Sequence, residues 1–114
     1  MPDHHSRPGP LAGQYTRGGW HIVVARGDLD LASLPPLREA LETAAATGAP
    51  IVVDLDAVTY ADSMTLNLLL QIHRATTLRL AAPGRQVCRL FGITGADQVL
   101  LLYPTLADAL PAAA

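Results

Sequence analysis

The hydrophobic positions of this chain follow two different spacings, and these predict alternating strands and helices. In WHIVVA, residues 20–25, successive side chains point to opposite faces of a strand, so Ile22 and Val24 share one face. The next apolar run has helical spacing until Gly48 ends it. A short run rich in β-branched residues, 51–58, then predicts a buried strand.

Taken in order, the spacings predict the element series β-β-α-β-α-β-α-β-α. The predicted strands are 14–16, 20–25, 51–58, 77–82 and 99–103, and the predicted helices are 34–47, 64–75, 85–95 and 105–110. Helices that connect successive strands imply a largely parallel sheet, whereas the opening hairpin adds an antiparallel pair. The predicted fold class is therefore α/β, with a small mixed and mostly parallel β-sheet.

Finer expectations concern the helix ends and the core. Ser33 and Ser63 are predicted to be the N-cap residues of the first two helices, because a hydroxyl can accept a bond from a free helical N–H. Cys88, among apolar neighbours, is predicted to be a small buried side chain. The predicted core includes Ile22, Val24, Val52, Val53, Leu55, Leu69 and Leu90.

Composition favours one folded domain and argues against several classes of function. With 114 residues, of which 50% are hydrophobic and 16% charged, the chain can bury one core. We expect a flexible arm at 1–12, the domain at 13–111 and a tail at 112–114. The net charge of −2 and the scattered arginines argue against nucleic-acid binding. No apolar run is long enough for a membrane span and no signal pattern opens the chain, so we expect a cytoplasmic protein. We also expect the chain to be monomeric when it is free.

The ionisable residues do not form a known catalytic or metal-binding pattern. Asp54 and Asp56 lie two apart in a predicted strand and share a face, but no further ligand accompanies them. A phosphate-accepting receiver domain or a P-loop would need a lysine, and this chain has none. A nucleophile elbow is also absent from the sequence. We therefore predict a protein that is not an enzyme, with no catalytic residue, metal or cofactor.

The stretch ADSMTLN, residues 61–67, is the strongest candidate for a functional site. Asp62 and Ser63 precede a predicted helix, so its free N–H groups and the positive end of its dipole point at them. One interpretation is a helix cap. The other is a position where a phosphorylated hydroxyl is accommodated. Local chemistry leaves both open.

Six short motifs lie in order along the chain, within a region of resemblance that covers about residues 14–110: GDLDLAS, LREALETAAATG, VVDLDAVTYADS, LNLLL, RLFGITGAD and YPTLADAL. Together they resemble the landmarks of STAS domains, most closely those of bacterial anti-sigma factor antagonists. The resemblance implies a small sheet with helices packed mainly on one face. It also implies a regulatory protein that binds an anti-sigma factor, usually a serine kinase that uses ATP, and so releases a sigma factor. The alternative is a diverged STAS module that binds a small ligand or acts as a scaffold outside sigma control.

The resemblance also assigns roles around residue 62. The kinase target in the family has the form Asp-Ser-Ser/Thr-Gly, and Asp62 and Ser63 match its first two positions. The phosphoacceptor position then falls on Met64, which has no hydroxyl, and the glycine position falls on Thr65. By this alignment the usual switch is missing, and Ser63 and Thr65 are the candidate hydroxyls for phosphorylation. The predicted partner-contact residues are Asp28, Asp30, Asp62, Ser63, Met64, Thr65 and Asn67.

Overall fold

The computed structural model describes residues 9–111, and within that range it contains five strands and four helices. The strands are β1 (Leu11–Arg17), β2 (Trp20–Leu29), β3 (Ile51–Ala61), β4 (Leu78–Ala81) and β5 (Leu101–Tyr103). The helices are α1 (Pro35–Ala46), α2 (Ser63–Ala75), α3 (Arg85–Thr94) and α4 (Leu106–Ala109), with a 3-10 turn at Ala96–Gln98. The predicted order of strands and helices is confirmed.

The strands lie side by side in chain order, from β1 at one edge to β5 at the other. β1 and β2 form an antiparallel hairpin, and every later pair is parallel. Parallel crossovers are right-handed, and because the strand order never reverses, α1, α2 and α3 fall on the same face of the sheet. The C-terminal ends of β2 and β3 therefore meet at one end of the molecule, beside the first turn of α2.

Hydrophobic side chains pack on both faces of the sheet. The larger cluster lies under α1, α2 and α3 and contains the buried Val53 and Phe91. A smaller cluster around Ile22 and Val52 lies on the opposite face, beneath α4. Arg79 helps to hold α4 there, since its Nη1 donates a hydrogen bond of 2.9 Å to a carbonyl of that helix. The predicted core residues divide between the two clusters, because neighbouring residues of a strand point to opposite faces. Two of them, Val24 and Leu90, are only half-buried and pack against the edges of the clusters.

β2 and β3 extend further than the sequence predicts, to Leu29 and Ala61. Their pairing contains two register shifts, so the extended parts lose the simple alternation that identifies a strand. β1 includes residues 11 and 12, which the sequence pattern had assigned to the flexible arm. Residues 1–8 of that predicted arm, and the predicted tail at 112–114, lie outside the described residues.

The predictions for Ser33 and Cys88 are wrong: Ser33 does not cap α1, and Cys88 is not buried. α1 begins at Pro35 after the N-cap residue Leu34, and no side chain bonds to its free N–H groups. Prolines at its first two positions lack N–H groups that a cap would bind, which reduces the need for one. Cys88 is exposed, because only every third or fourth position of α3 faces the core.

Candidate functional site

Asp62 ends β3 and begins α2, and both oxygens of its carboxylate accept hydrogen bonds from backbone N–H groups. Its backbone is extended, with φ −102° and ψ −176°, as expected of an N-cap residue. Oδ1 accepts from the N–H of Thr65 at 3.0 Å. Oδ2 accepts from the N–H of Leu31 at 3.2 Å. Asp62, and not Ser63, is therefore the N-cap, and it also joins α2 to the loop between β2 and α1.

Thr65 lies inside the first turn of α2 and is only 1% exposed. Its Oγ1 donates a hydrogen bond to the carbonyl of Leu29 at 3.0 Å and lies 3.2 Å from Oδ1 of Asp62. The N–H of Asp62 donates to the same carbonyl at 3.1 Å, so two bonds fix the end of β2 against the start of α2. A hydroxyl that is buried and bonded in this way is not accessible to a partner or to a kinase active site while the first turn of α2 is formed. The two roles that the sequence assigns to Thr65 stay predictions, and this burial disfavours both.

The rest of the first turn of α2 presents two polar side chains to solvent. Ser63 and Asn67 are exposed, and they share one face of the helix because they are four residues apart. Met64 is half-buried and packs against the larger hydrophobic cluster. Of the residues that α2 was predicted to contribute, Ser63 and Asn67 are thus the ones whose side chains are most available to a partner.

The end of β2 and the loop that follows it add two carboxylates at the same end of the molecule. Asp28 is exposed, and its Oδ1 accepts a hydrogen bond from Oγ1 of Thr59 at 2.6 Å. Asp30 is half-buried, and its Oδ1 accepts from the N–H of Ser33 at 2.9 Å. The hydroxyl of Ser33 in turn donates to the carbonyl of Asp28 at 2.8 Å, so this serine braces the loop rather than the helix. Both aspartates line an open cleft of about 650 Å³, together with Arg26.

Leu31 is a surface residue here that sequence reasoning missed. Its side chain is 67% exposed, whereas Leu29, two residues earlier, is fully buried. The hydrogen bond from its N–H to Asp62 places it next to the start of α2. The available signal was the second leucine of GDLDLAS, an apolar residue in a loop otherwise rich in small and acidic side chains. We name this surface the acidic corner and define it as Asp28, Asp30, Leu31, Asp62, Ser63 and Asn67.

The acidic corner has the chemistry of a binding surface. Three carboxylates share this end of the molecule with an apolar side chain and an exposed hydroxyl, which complements a surface with basic and apolar groups.

In the described range 9–111, no three or more His, Cys, Asp or Glu side chains are grouped so as to hold a metal ion. Asp54 and Asp56 bond locally, since Oδ1 of Asp54 accepts from the N–H of Asp56 at 3.1 Å. No helix in this part of the chain is long and apolar enough to cross a membrane.

Comparison with known proteins identifies the family. The family model described as the STAS domain matches residues 14–109. The chain belongs to the STAS domain family. This confirms the resemblance that the six sequence motifs indicate. Among curated proteins, none matches the sequence significantly.

Solved structures with the same STAS fold include several anti-sigma factor antagonists. One from Mycobacterium paratuberculosis is 31% identical with a TM-score of 0.78, over 84% of this chain and 86% of that chain. A candidate antagonist from Thermotoga maritima is 18% identical with a TM-score of 0.78, over 85% and 89% of the two chains. The antagonist SpoIIAA in its unphosphorylated form is 19% identical with a TM-score of 0.67, over 79% and 85%. The last two share the fold, and the first also shares substantial sequence.

Proposed function

We propose that this STAS domain is an anti-sigma factor antagonist, which binds an anti-sigma factor and so frees the sigma factor held by it. The observation that carries this proposal is the 31% identity, over 84% of the chain, to a solved protein described as such an antagonist. In this function the chain performs no catalytic step. It competes with the sigma factor for one binding partner.

The acidic corner is the proposed contact surface. Leu31 would supply apolar area, because burying a fully exposed leucine side chain is worth about 1.5–3 kcal/mol. Asp28 and Asp30 would favour basic groups on the anti-sigma factor and so contribute to specificity. Both oxygens of Asp62 are already bonded within the chain, so we assign it the role of holding the corner in shape.

We further propose that the anti-sigma factor is of the serine-kinase type and that it phosphorylates Ser63. The hydroxyl of Ser63 is exposed, whereas Thr65 is buried and Met64 packs against the core. A phosphate would bring about −1.5 to −2 charges to the start of α2, where free N–H groups and the helix dipole stabilise an anion. The same charge, next to three carboxylates, would oppose binding to a basic surface. The alignment that puts the phosphoacceptor position on Met64 stays a prediction, and a Met64→Ser variant distinguishes the two positions.

The test of the proposed function is displacement of a sigma factor from its anti-sigma factor by the purified chain. Affinity capture identifies the anti-sigma factor, and its purified complex with a fluorescently labelled sigma factor is the probe. We expect displacement by the wild type, weaker displacement by Asn67→Arg at the acidic corner, and no loss in Glu42→Arg on the exposed side of α1. A chain that displaces no sigma factor and instead retains a bound small molecule would contradict the proposal and support a ligand-binding STAS module.

The proposal includes the location and the assembly state of the protein. Sigma factors act with RNA polymerase, so the chain should work in the cytoplasm. One corner binds one partner, so the free chain should be a monomer. Light scattering should then give a mass near 12.0 kDa, the mass of a single chain.

A further inference from the structure

On the side away from β2, with which Ala61 is still paired, the end of β3 is held by a side chain instead of a neighbouring strand. Pairing between β3 and β4 stops at Asp54 and Ala81, yet β3 continues to Ala61. At Ala61 the amide of Gln86 bonds to both backbone groups. Its Oε1 accepts from the N–H at 2.8 Å, and its Nε2 donates to the carbonyl at 2.9 Å. A primary amide carries a donor and an acceptor side by side, so Gln86 takes the place of a paired peptide group.

Gln86 belongs to the first turn of α3, which packs close to the end of β3. A Cβ atom added at Gly84, the N-cap residue of α3, would lie 3.7 Å from the carbonyl oxygen of Val58. Ala61 is 3% exposed, so its N–H and carbonyl have little access to water and depend on the amide of Gln86. The contact links residues that are 25 positions apart in the sequence.

We propose that Gln86 is a positioning residue for the acidic corner. Ala61 directly precedes Asp62, so bonds to both backbone groups of Ala61 set the direction in which the chain leaves β3. That direction sets the place of the Asp62 carboxylate, which holds the N–H groups of Leu31 and Thr65. Through these hydrogen bonds the start of α3 is coupled to the surface that a partner contacts. The inference rests on the proposed function, because it takes the acidic corner to be the surface that the partner contacts.

The first experiment measures amide hydrogen exchange by NMR in the free chain. Gln86→Met keeps the length of the side chain and removes both hydrogen bonds, and Gln71→Met, at an exposed position of α2, is the matched control. The informative amides are those of Leu31 and Thr65, because their acceptor is Asp62 and neither bonds to Gln86. In Gln86→Met we expect the amides of Leu31 and Thr65 to exchange roughly ten-fold faster, which is the size expected when two hydrogen bonds are lost. The exchange rate of the Val53 amide should not change. Unchanged exchange at Leu31 and Thr65, or an equal increase throughout β3, would overturn the proposal.

A second variant tests the hydrogen-bond pattern itself. In Gln86→Glu the ionised carboxylate has no donor for the carbonyl of Ala61, whereas the protonated acid has one donor and one acceptor, like the native amide. The pKa of the introduced carboxyl should therefore lie above its ordinary value, because only the protonated acid can donate to the carbonyl of Ala61, whereas the carboxylate would place a negative oxygen against that carbonyl oxygen. As pH falls through that pKa, exchange at Leu31 and Thr65 should return toward wild-type values, after correction for intrinsic rates. An unshifted pKa without this recovery would count against the role of Gln86.

The third readout is affinity for the purified anti-sigma factor. Gln86→Met should bind roughly ten-fold more weakly while remaining folded at the assay temperature, as expected if two bonds stabilise the binding geometry, and Gln71→Met should bind as the wild type does. If the wild type binds and Gln86→Met binds equally well, the positioning role is wrong. If the wild type binds no anti-sigma factor while the exchange results hold, the proposed function is wrong and Gln86 still positions Asp62.

Discussion

The N–H of Leu31 donates a hydrogen bond to Oδ2 of Asp62, and this contact joins segments that are 31 residues apart. The other oxygen of the same carboxylate caps α2 by accepting from the N–H of Thr65. One side chain therefore connects the loop after β2 to the helix after β3. Asp62 supports the acidic corner, and the exposed groups around it are the ones available to a partner.

Removing the Asp62 carboxylate should destabilise the fold as well as the corner. In Asp62→Ala, α2 loses its cap and Leu31 loses its acceptor, so we expect the free energy of unfolding to fall by about 1–2 kcal/mol. In Asp62→Asn the free energy of unfolding should fall by less, because the amide oxygen can still cap α2 but the NH₂ group cannot accept from the N–H of Leu31. Urea unfolding followed by circular dichroism measures both. Glu39→Ala, at an exposed position of α1, is the control, and an equal loss there would show that the cap contributes nothing specific.

The buried hydroxyl of Thr65 should contribute to stability and not to phosphorylation. Thr65→Val keeps the shape of the side chain and removes the hydrogen bond to the carbonyl of Leu29, so the free energy of unfolding should fall by about 0.5–1.5 kcal/mol. The matched control is Thr43→Val, at an exposed position of α1, which should change it much less. Thermal and urea unfolding measure the difference. A Thr65→Val protein as stable as the wild type would show that this bond adds nothing.

Leu31 should be important for binding and nearly neutral for folding. Its side chain is 67% exposed, so Leu31→Ala should change the free energy of unfolding by less than about 0.5 kcal/mol. Binding energy concentrates in a few residues of an interface, so the same change should weaken binding of the anti-sigma factor by about 1–2 kcal/mol. Isothermal titration calorimetry measures the affinity.

The control for Leu31 is Ile93→Ala. Ile93 is also a large apolar side chain, 78% exposed, but it lies near the end of α3, away from the acidic corner. We expect its replacement to leave the affinity unchanged. Comparable losses in the two variants would mean that general surface hydrophobicity, and not this corner, drives binding.

Ser63 should be the residue that a kinase-type anti-sigma factor modifies. With the purified kinase and ATP, intact-mass measurement should show one phosphate on the wild type and on Thr65→Val, and none on Ser63→Ala. Met64→Ser should add no label when Ser63 is also replaced by alanine, because residue 64 packs against the core. Phosphorylated wild type should also bind the anti-sigma factor more weakly, since the added charge is about −1.5 to −2.

The opposite pattern would favour the alignment made from sequence alone. If the wild type stays unlabelled while Met64→Ser gains a phosphate, then residue 64 is the acceptor position and this chain lacks the usual switch. In that case the chain should remain able to bind in the presence of ATP. Labelling of the wild type that is lost in Thr65→Val but kept in Ser63→Ala would require α2 to unwind at its first turn.

The sequence by itself determined the order and type of the elements, because helical and strand spacings are local properties of the chain. Gly48 and the run at 51–58 were sufficient to place the end of α1 and the start of β3. The motifs also identified the family, and the pair Asp62-Ser63 marked the start of α2. Each of these follows from neighbouring residues alone.

Only the tertiary structure decided which side chains of the corner are available. Adjacent residues 63, 64 and 65 are exposed, half-buried and buried, and a shift of one position would exchange these roles. That register depends on contacts with distant residues: Leu29 with Thr65, Leu31 with Asp62, and Gln86 with Ala61. These contacts form where β2 and β3 pair through register shifts, and local patterns do not encode such shifts. Sequence reasoning therefore located the corner, while hydrogen bonds between distant segments set its geometry.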